Sequence, residues 1–179
     1  TFTIPYLYGM IQFDKFQLSN GLNVIVHEDK STPMAVVNVI YDVGARDEDP
    51  GKTGFAHLFE HLMFGGSKNI PVYDEPLQLA GGENNAFTTN DLTNYYCQLP
   101  AENIETAFWL ESDRMLSLAF SKKSLEVQRK VVCEEFKEHY INKPYGDVWH
   151  KMRTLAYTQH PYRWMTIGAE LSHIENATL

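Results

Sequence analysis

The sequence predicts an α+β domain, a mainly antiparallel sheet packed against helices. Three observations carry this. Residues 14–27 alternate apolar and polar positions around Asn20-Gly21, the pattern of a β-hairpin. Residues 35–43, Ala-Val-Val-Asn-Val-Ile-Tyr-Asp-Val, are rich in β-branched side chains and read as a central strand. From residue 101 onward the apolar spacing becomes helical. Strands first and helices later is the order of an α+β fold. The chain has 179 residues and is 44% hydrophobic, enough for one globular core.

In the hairpin, Phe16 and Leu18 precede the turn, and Leu22, Val24 and Val26 follow it. After the strand at 35–43, Gly44 to Gly54 is a polar loop with a turn signal at Asp49-Pro50-Gly51. Thr53 is the expected N-cap of a helix that stops at Gly65-Gly66. Gly81-Gly82 breaks the chain, and residues 85–98 read as extended with an interruption near Asn90-Asp91. Helices are expected at 101–119, 122–141 and 145–156, the first with Ile104, Phe108, Glu111, Met115 and Leu118 on its recurrent stripe. His160-Pro161 opens an irregular segment, and 175–179 reads as the approach to a further element.

The net charge of −8 argues against a nucleic-acid or anionic-membrane partner, since both need a basic patch. No apolar stretch approaches the ~20 residues of a membrane span. Cys97 and Cys133 are too few and too far apart for a disulfide framework and read as free thiols. Position 1 is not Met, which leaves room for a leader or part of the chain to have been removed already. Free cysteines without a leader favour the cytoplasm; a removed signal peptide would instead place the protein in the periplasm.

The segment Phe55-Ala-His-Leu-Phe-Glu-His-Leu-Met-Phe64 sets three ionisable groups in apolar surroundings. Burying them costs several kcal/mol unless something pairs with them. On a helix His57 and His61, at i and i+4, lie about 40° apart on one face, the arrangement two imidazoles need to share a zinc ion. Glu60 falls beside them, where a carboxylate can act as general base toward a metal-bound water. His-x-x-Glu-His is the inverted form of the commoner His-Glu-x-x-His zinc motif. The same two histidines could also be satisfied core residues, and five residues alone do not separate the two readings.

A third ligand is needed, and Glu134 and Glu135 compete for the place. Positions 125, 128, 132, 135 and 139 form one helical stripe: Leu, Gln, Val, Glu, His. Positions 126, 130, 134 and 138 form a charged stripe, with Glu126 and Lys130 at pairing distance along the helix. The first stripe faces inward, so Glu135 needs a counter-charge that zinc would supply, while Glu134 belongs to the solvated face. His139 reads as a helix-end residue near Glu135 and not as a ligand. A closed structural zinc site would need a fourth protein ligand, from His139 or Cys133, and Cys133 points elsewhere on the helix.

His57-Leu-Phe-Glu-His61, with the glutamate of Val131-Val-Cys-Glu-Glu135, resembles the pitrilysin/insulysin family of zinc metallopeptidases, which includes the mitochondrial processing peptidase. Further segments match in family order: Gly44-Ala-Arg-Asp-Glu48, Gly81-Gly-Glu-Asn-Asn-Ala-Phe-Thr88 and Asp91-Leu-Thr-Asn-Tyr95. The stretch from Val127 to Gly146, with His160-Pro-Tyr-Arg-Trp164, is most similar to bacterial single-chain members. The resemblance implies one Zn2+ per chain on His57, His61 and Glu135, with Glu60 as catalytic base. Family members often carry a second glutamate seven residues before the ligand; here that position is Gln128, which still faces the site and can hydrogen-bond a histidine. The resemblance also implies that an extended peptide or unfolded polypeptide pairs edge-on with the strand of Asn85, Ala86, Phe87 and Thr88. From the residues alone, Asn84 and Asn85 read as a turn.

The family fold is a pair of similar α+β domains enclosing the substrate. Residues 1–179 then correspond to most of the N-terminal catalytic domain, with the C-terminal homologous domain absent and a homodimer among the assemblies the resemblance allows. The function implied is that of a zinc metalloendopeptidase. The alternative is a non-catalytic subunit that presents substrate or has a structural role.

Overall fold

The computed structural model describes residues 11–178. It divides into two compact units, one ending at Pro33 and the other beginning at Met34. The first holds an antiparallel hairpin of β1 (Asp14–Gln17) and β2 (Asn23–Val26), with Phe16 opposite Val24. Its turn is the expected one. Gly21 adopts φ +90°, which a side chain would resist, and the Asn20 side chain accepts the Leu22 N–H.

The second unit is built on a three-stranded antiparallel sheet ordered β3-β5-β4: β3 (Met34–Tyr41), β4 (Glu83–Thr88) and β5 (Thr93–Pro100). The central strand β5 is buried along most of its length; β3 and β4 are the edges. β4 begins at Glu83, so Asn84 and Asn85 are strand residues and the turn reading is corrected. The turn is made just before them. Gly81 takes φ +73°, and a side chain on Gly82 would lie 2.6 Å from the Leu77 Cδ1 atom and 3.0 Å from the Gln98 carbonyl oxygen.

Among the described residues six α-helices accompany the sheet: α1 (Phe55–Met63), α2 (Asp74–Leu79), α3 (Ile104–Leu116), α4 (Lys122–Phe136), α5 (Val148–Ala156) and α6 (Leu171–Glu175). Two apolar clusters hold all of these except α5. Ile70, Tyr73 and Leu77 meet Ala107 and Leu110 of α3 and Cys97 and Leu99 of β5. Leu58 and Leu62 of α1 meet Leu125, Val132, Cys133 and Phe136 of α4, with Ile167, Ile174 and Ala177 closing the far side. Both cysteines are buried and unbridged, as expected. Among the described residues no helix is long and apolar enough to cross a membrane.

Three expectations are corrected. Thr53 is not the N-cap of α1; Gly54 is, in a left-handed conformation at φ +87°. The Thr53 hydroxyl instead meets His173 Nδ1 at 2.8 Å and accepts the Ala169 N–H. On α3 the buried face is Ala107, Leu110, Glu111 and Arg114, while Phe108 and Met115 are exposed. The apolar period pointed to the wrong stripe because the inward face carries an ion pair. Arg114 contacts Glu111 and lies 4.6 and 4.5 Å from the ring centres of Tyr73 and Tyr95, so the cation is paired and stacked in the interior. The expected helix at 145–156 starts only at Val148, because Tyr145 sits at φ +60°.

Candidate metal centre

Helices α1 and α4 pack side by side, and their apolar seam fixes the site. Leu58 and Leu62 point into the shared core, which turns His57, Glu60 and His61 to the neighbouring face of α1. On α4, Leu125 and Val132 face the same core, and Glu135 follows Val132 by nearly one turn.

The two helices bring His57, His61 and Glu135 together, with one potential ligand atom from each within 4.8 Å of the others. His57 Nε2 and His61 Nε2 are 3.3 Å apart, and Glu135 Oε2 lies 3.8 Å from the first and 3.5 Å from the second. Ligands at ordinary zinc distances around one tetrahedral ion are separated by about 3.4 Å. The triangle therefore has the size and the donor types that such an ion requires. It is also an awkward arrangement without a cation. Two imidazole nitrogens confront one another, and His57 Nδ1 is buried with no hydrogen-bond partner among the described residues. A cation at Nε2 would place the ring proton on Nδ1.

The electrostatics fit the same use. Burial lowers the His57 pKa to about 4, against the raising effect of Glu135, so the ring is neutral near pH 7 and its lone pair is free. For His61, burial works downward but is outweighed by the hydrogen bond and charge of Glu135, with Glu60 and a Gln128 hydrogen bond adding to it; the net shift is upward. Glu135 is held below the usual carboxylate range, chiefly by its hydrogen bond with His61. Burial raises Glu60, with the Thr88 hydrogen bond and His61 opposing.

The remaining expected residues fall as follows. Glu134 faces solvent and pairs with Lys137 Nζ at 2.7 Å, and Glu126 pairs with Lys130 at 3.0 Å, which is the charged stripe. Cys133 is buried in the core and stands apart from the histidines. His139 lies outside the ligand group, in ring contact with Tyr140. Gln128 adds to the upward shift of His61, so it lies on the site's side of α4. Asn85, Ala86, Phe87 and Thr88 lie on β4, whose outer side pairs with no strand among the described residues. The Thr88 hydroxyl donates to Glu60 Oε2.

One supporting residue was not singled out from the sequence. Glu48 reaches the start of α1, where Oε2 accepts the Gly54 N–H at 2.9 Å and Oε1 the Ala56 N–H at 2.8 Å. The histidine helix is thus capped by a side chain six residues upstream of its N-cap, not by a neighbour in the usual box. Nothing in local spacing announces this; the only signal is that Glu48 closes a segment quoted above for its family likeness.

An α+β domain presenting an inverted His-x-x-Glu-His helix beside a glutamate from a second helix defines a class of metallopeptidase-like sites. The chain belongs to the insulinase family, peptidase family M16, whose sequence profile matches residues 23–168. It is 36% identical over 165 residues to the zinc protease PqqE of Helicobacter pylori, covering 90% of this chain and 37% of that protein. It is 30% identical over 123 residues to a probable mitochondrial-processing peptidase subunit beta of Arabidopsis thaliana, covering 68% of this chain and 23% of that one. The crystal structure of a protease from Helicobacter pylori superposes with a TM-score of 0.89 at 34% identity, over 95% of this chain and 41% of that one. The chain therefore spans well under half the length of these relatives. The α+β fold read from the sequence is the fold of the family.

Proposed function

We propose that this chain carries the catalytic centre of a zinc-dependent metalloendopeptidase that hydrolyses peptides or unfolded segments. The observation that carries the proposal is the triangle of His57 Nε2, His61 Nε2 and Glu135 Oε2, with Glu60 beside it on the same helix. His57, His61 and Glu135 would hold the ion, and the family relatives named zinc proteases support the choice of metal. When bound, zinc would acidify a water molecule and polarise a peptide carbonyl.

The chain's own residues supply the rest. His57, neutral at pH 7, and Glu135, ionised, offer lone pairs on a fixed triangle. Glu60 has a carboxyl raised by burial, which favours taking up a proton and passing it on. The outer side of β4, which pairs with no strand among the described residues, would offer backbone groups to an extended peptide, so recognition would depend little on sequence. A second homologous domain of the kind the family resemblance implies would complete the substrate chamber.

Glu60→Gln in the full-length protein is the test. The amide fills the same space but cannot take a proton. Zinc content should stay at one per chain while hydrolysis of an unfolded polypeptide falls by about 100-fold or more. Turnover near the wild-type rate would refute the role of Glu60.

A further inference from the structure

We propose that Thr88 is the positioning residue for Glu60: its hydroxyl holds Glu60 Oε2, fixes the carboxylate's rotamer, and ties it to the strand that would receive the substrate. The proposal rests on reading Glu60 as the proton carrier. It assigns to Thr88 a task beyond that of a strand residue offering its backbone to a peptide.

The geometry is specific. Glu60 sits on α1 and Thr88 is the last residue of β4, so the bond joins two elements separated by 28 residues in sequence. No other hydrogen bond to the Glu60 side chain occurs among the described residues, which leaves Oε1 available. A free glutamate explores several rotamers; one oxygen pinned by a donor leaves the other aimed in one direction. Thr is suited to this because its β-branched side chain has a restricted χ1.

The anchor is itself rigid. Directly after Thr88, the Thr89 N–H donates to the Leu92 carbonyl at 2.8 Å, and the Thr89 hydroxyl accepts from the N–H groups of Asp91 and Leu92 at 3.1 Å. The loop before α1 grips the same turn. Ala45 N–H donates to the Thr89 carbonyl at 3.1 Å and Arg46 N–H to the Asn90 carbonyl at 2.8 Å. Arg153 of α5 holds the Asn90 side chain at 2.9 Å. Across the strand pair, Thr93, the register partner of Thr88, donates its hydroxyl to the Val43 carbonyl at 2.9 Å. A hydroxyl mounted on so constrained a turn has little freedom to follow Glu60; Glu60 follows it. A peptide added along β4 and the carboxylate that serves it are thereby referenced to one strand, which is how a proton carrier is kept in register with a scissile bond.

The test compares zinc-loaded, full-length wild type with Thr88→Val and Thr88→Ser. Val keeps the shape and the χ1 preference and removes only the donor; Ser restores the donor. Steady-state cleavage of fluorescein-labelled β-casein, zinc content, and the crystal structure of the Val variant are measured together. The expected result is a kcat lower by about 10- to 100-fold in Thr88→Val, with KM and one zinc per chain retained. Thr88→Ser should return to within a few-fold of wild type, and the Glu60 carboxylate should be displaced in the Val crystal structure. Unchanged kcat in the Val variant, a change confined to KM, loss of zinc, or a Glu60 carboxylate unmoved in its crystal structure would each overturn the proposal. If zinc-loaded wild type leaves casein intact, the peptidase reading fails, and the crystal comparison still decides whether Thr88 positions Glu60.

Discussion

Replacing Glu48 with Gln tests how the histidine helix is capped, and the size of the effect follows from two opposed terms. The carboxylate accepts the N–H groups of Gly54 and Ala56 at the start of α1. The amide keeps one acceptor and turns a donor toward the other N–H, losing about 1 kcal/mol. The second term depends on pH. Burial raises the Glu48 carboxyl from 4.5 to about 7, against the lowering effect of the Ala56 and Gly54 N–H groups. A group whose pKa is higher folded than unfolded stabilises the fold fully below the unfolded value and loses that contribution as pH rises through the folded one. The window here runs from about pH 4.5 to 7. Its ceiling is about 3.4 kcal/mol, and solvent reaching the half-buried side chain reduces it to roughly 1–2 kcal/mol.

Urea unfolding of wild type and Glu48→Gln at pH 5 and pH 8 separates the terms. At pH 5 the wild-type group is protonated and its hydroxyl oxygen is itself a weak acceptor, so the variant should be less stable by no more than about 1 kcal/mol. At pH 8 the deficit should vanish or reverse, because only the wild type carries the ionised, half-buried carboxylate. A deficit that grows from pH 5 to pH 8 would contradict a carboxyl raised by burial. It would mean that the helix N-terminus and its N–H groups hold the carboxylate ionised more strongly than burial opposes it.

Arg114→Met leaves Glu111 buried without its cation and should cost about 3–5 kcal/mol in urea unfolding, while Glu111→Leu combined with Arg114→Met should recover most of it; equal losses in the single and double variants would show that the ion pair is not what the aromatic cage requires. Gly54→Ala places a Cβ 2.6 Å from the Ile167 carbonyl oxygen at φ +87°. It should cost about 2–4 kcal/mol, from the left-handed backbone and the close approach; an unchanged thermal midpoint would show that α1 can shift freely at its start.

The sequence spoke clearly where one period or one dipeptide decides. Asn20-Gly21 marks the hairpin turn, and the stripe through Leu125, Gln128, Val132 and Glu135 separates an inward glutamate from an outward one. That separation is seen in the ion pair that Glu134 makes with Lys137 and in the place of Glu135 between the two histidines. Helical phase is a local property, so it survives without knowledge of the fold. What was missed depends on groups distant in sequence. Thr53 has the chemistry of an N-cap, but Glu48 and His173 compete for the same neighbourhood and decide otherwise. The inward face of α3 carries charge because Tyr73 and Tyr95 arrive from other elements to surround Arg114. Helix α2 spans only six residues, too short for a period to register. The bond from Thr88 to Glu60 joins a strand to a helix, and no pattern within either segment foretells it.

The proposed function stands or falls on whether His57, His61 and Glu135 hold one zinc ion. Its most direct test is the metal content of purified wild type, Glu135→Ala and Glu134→Ala by elemental mass spectrometry after reconstitution with zinc. One zinc per chain is expected in wild type and Glu134→Ala, and none in Glu135→Ala. Zinc retained by Glu135→Ala but lost from Glu134→Ala, or a folded wild type that takes up none, would contradict it.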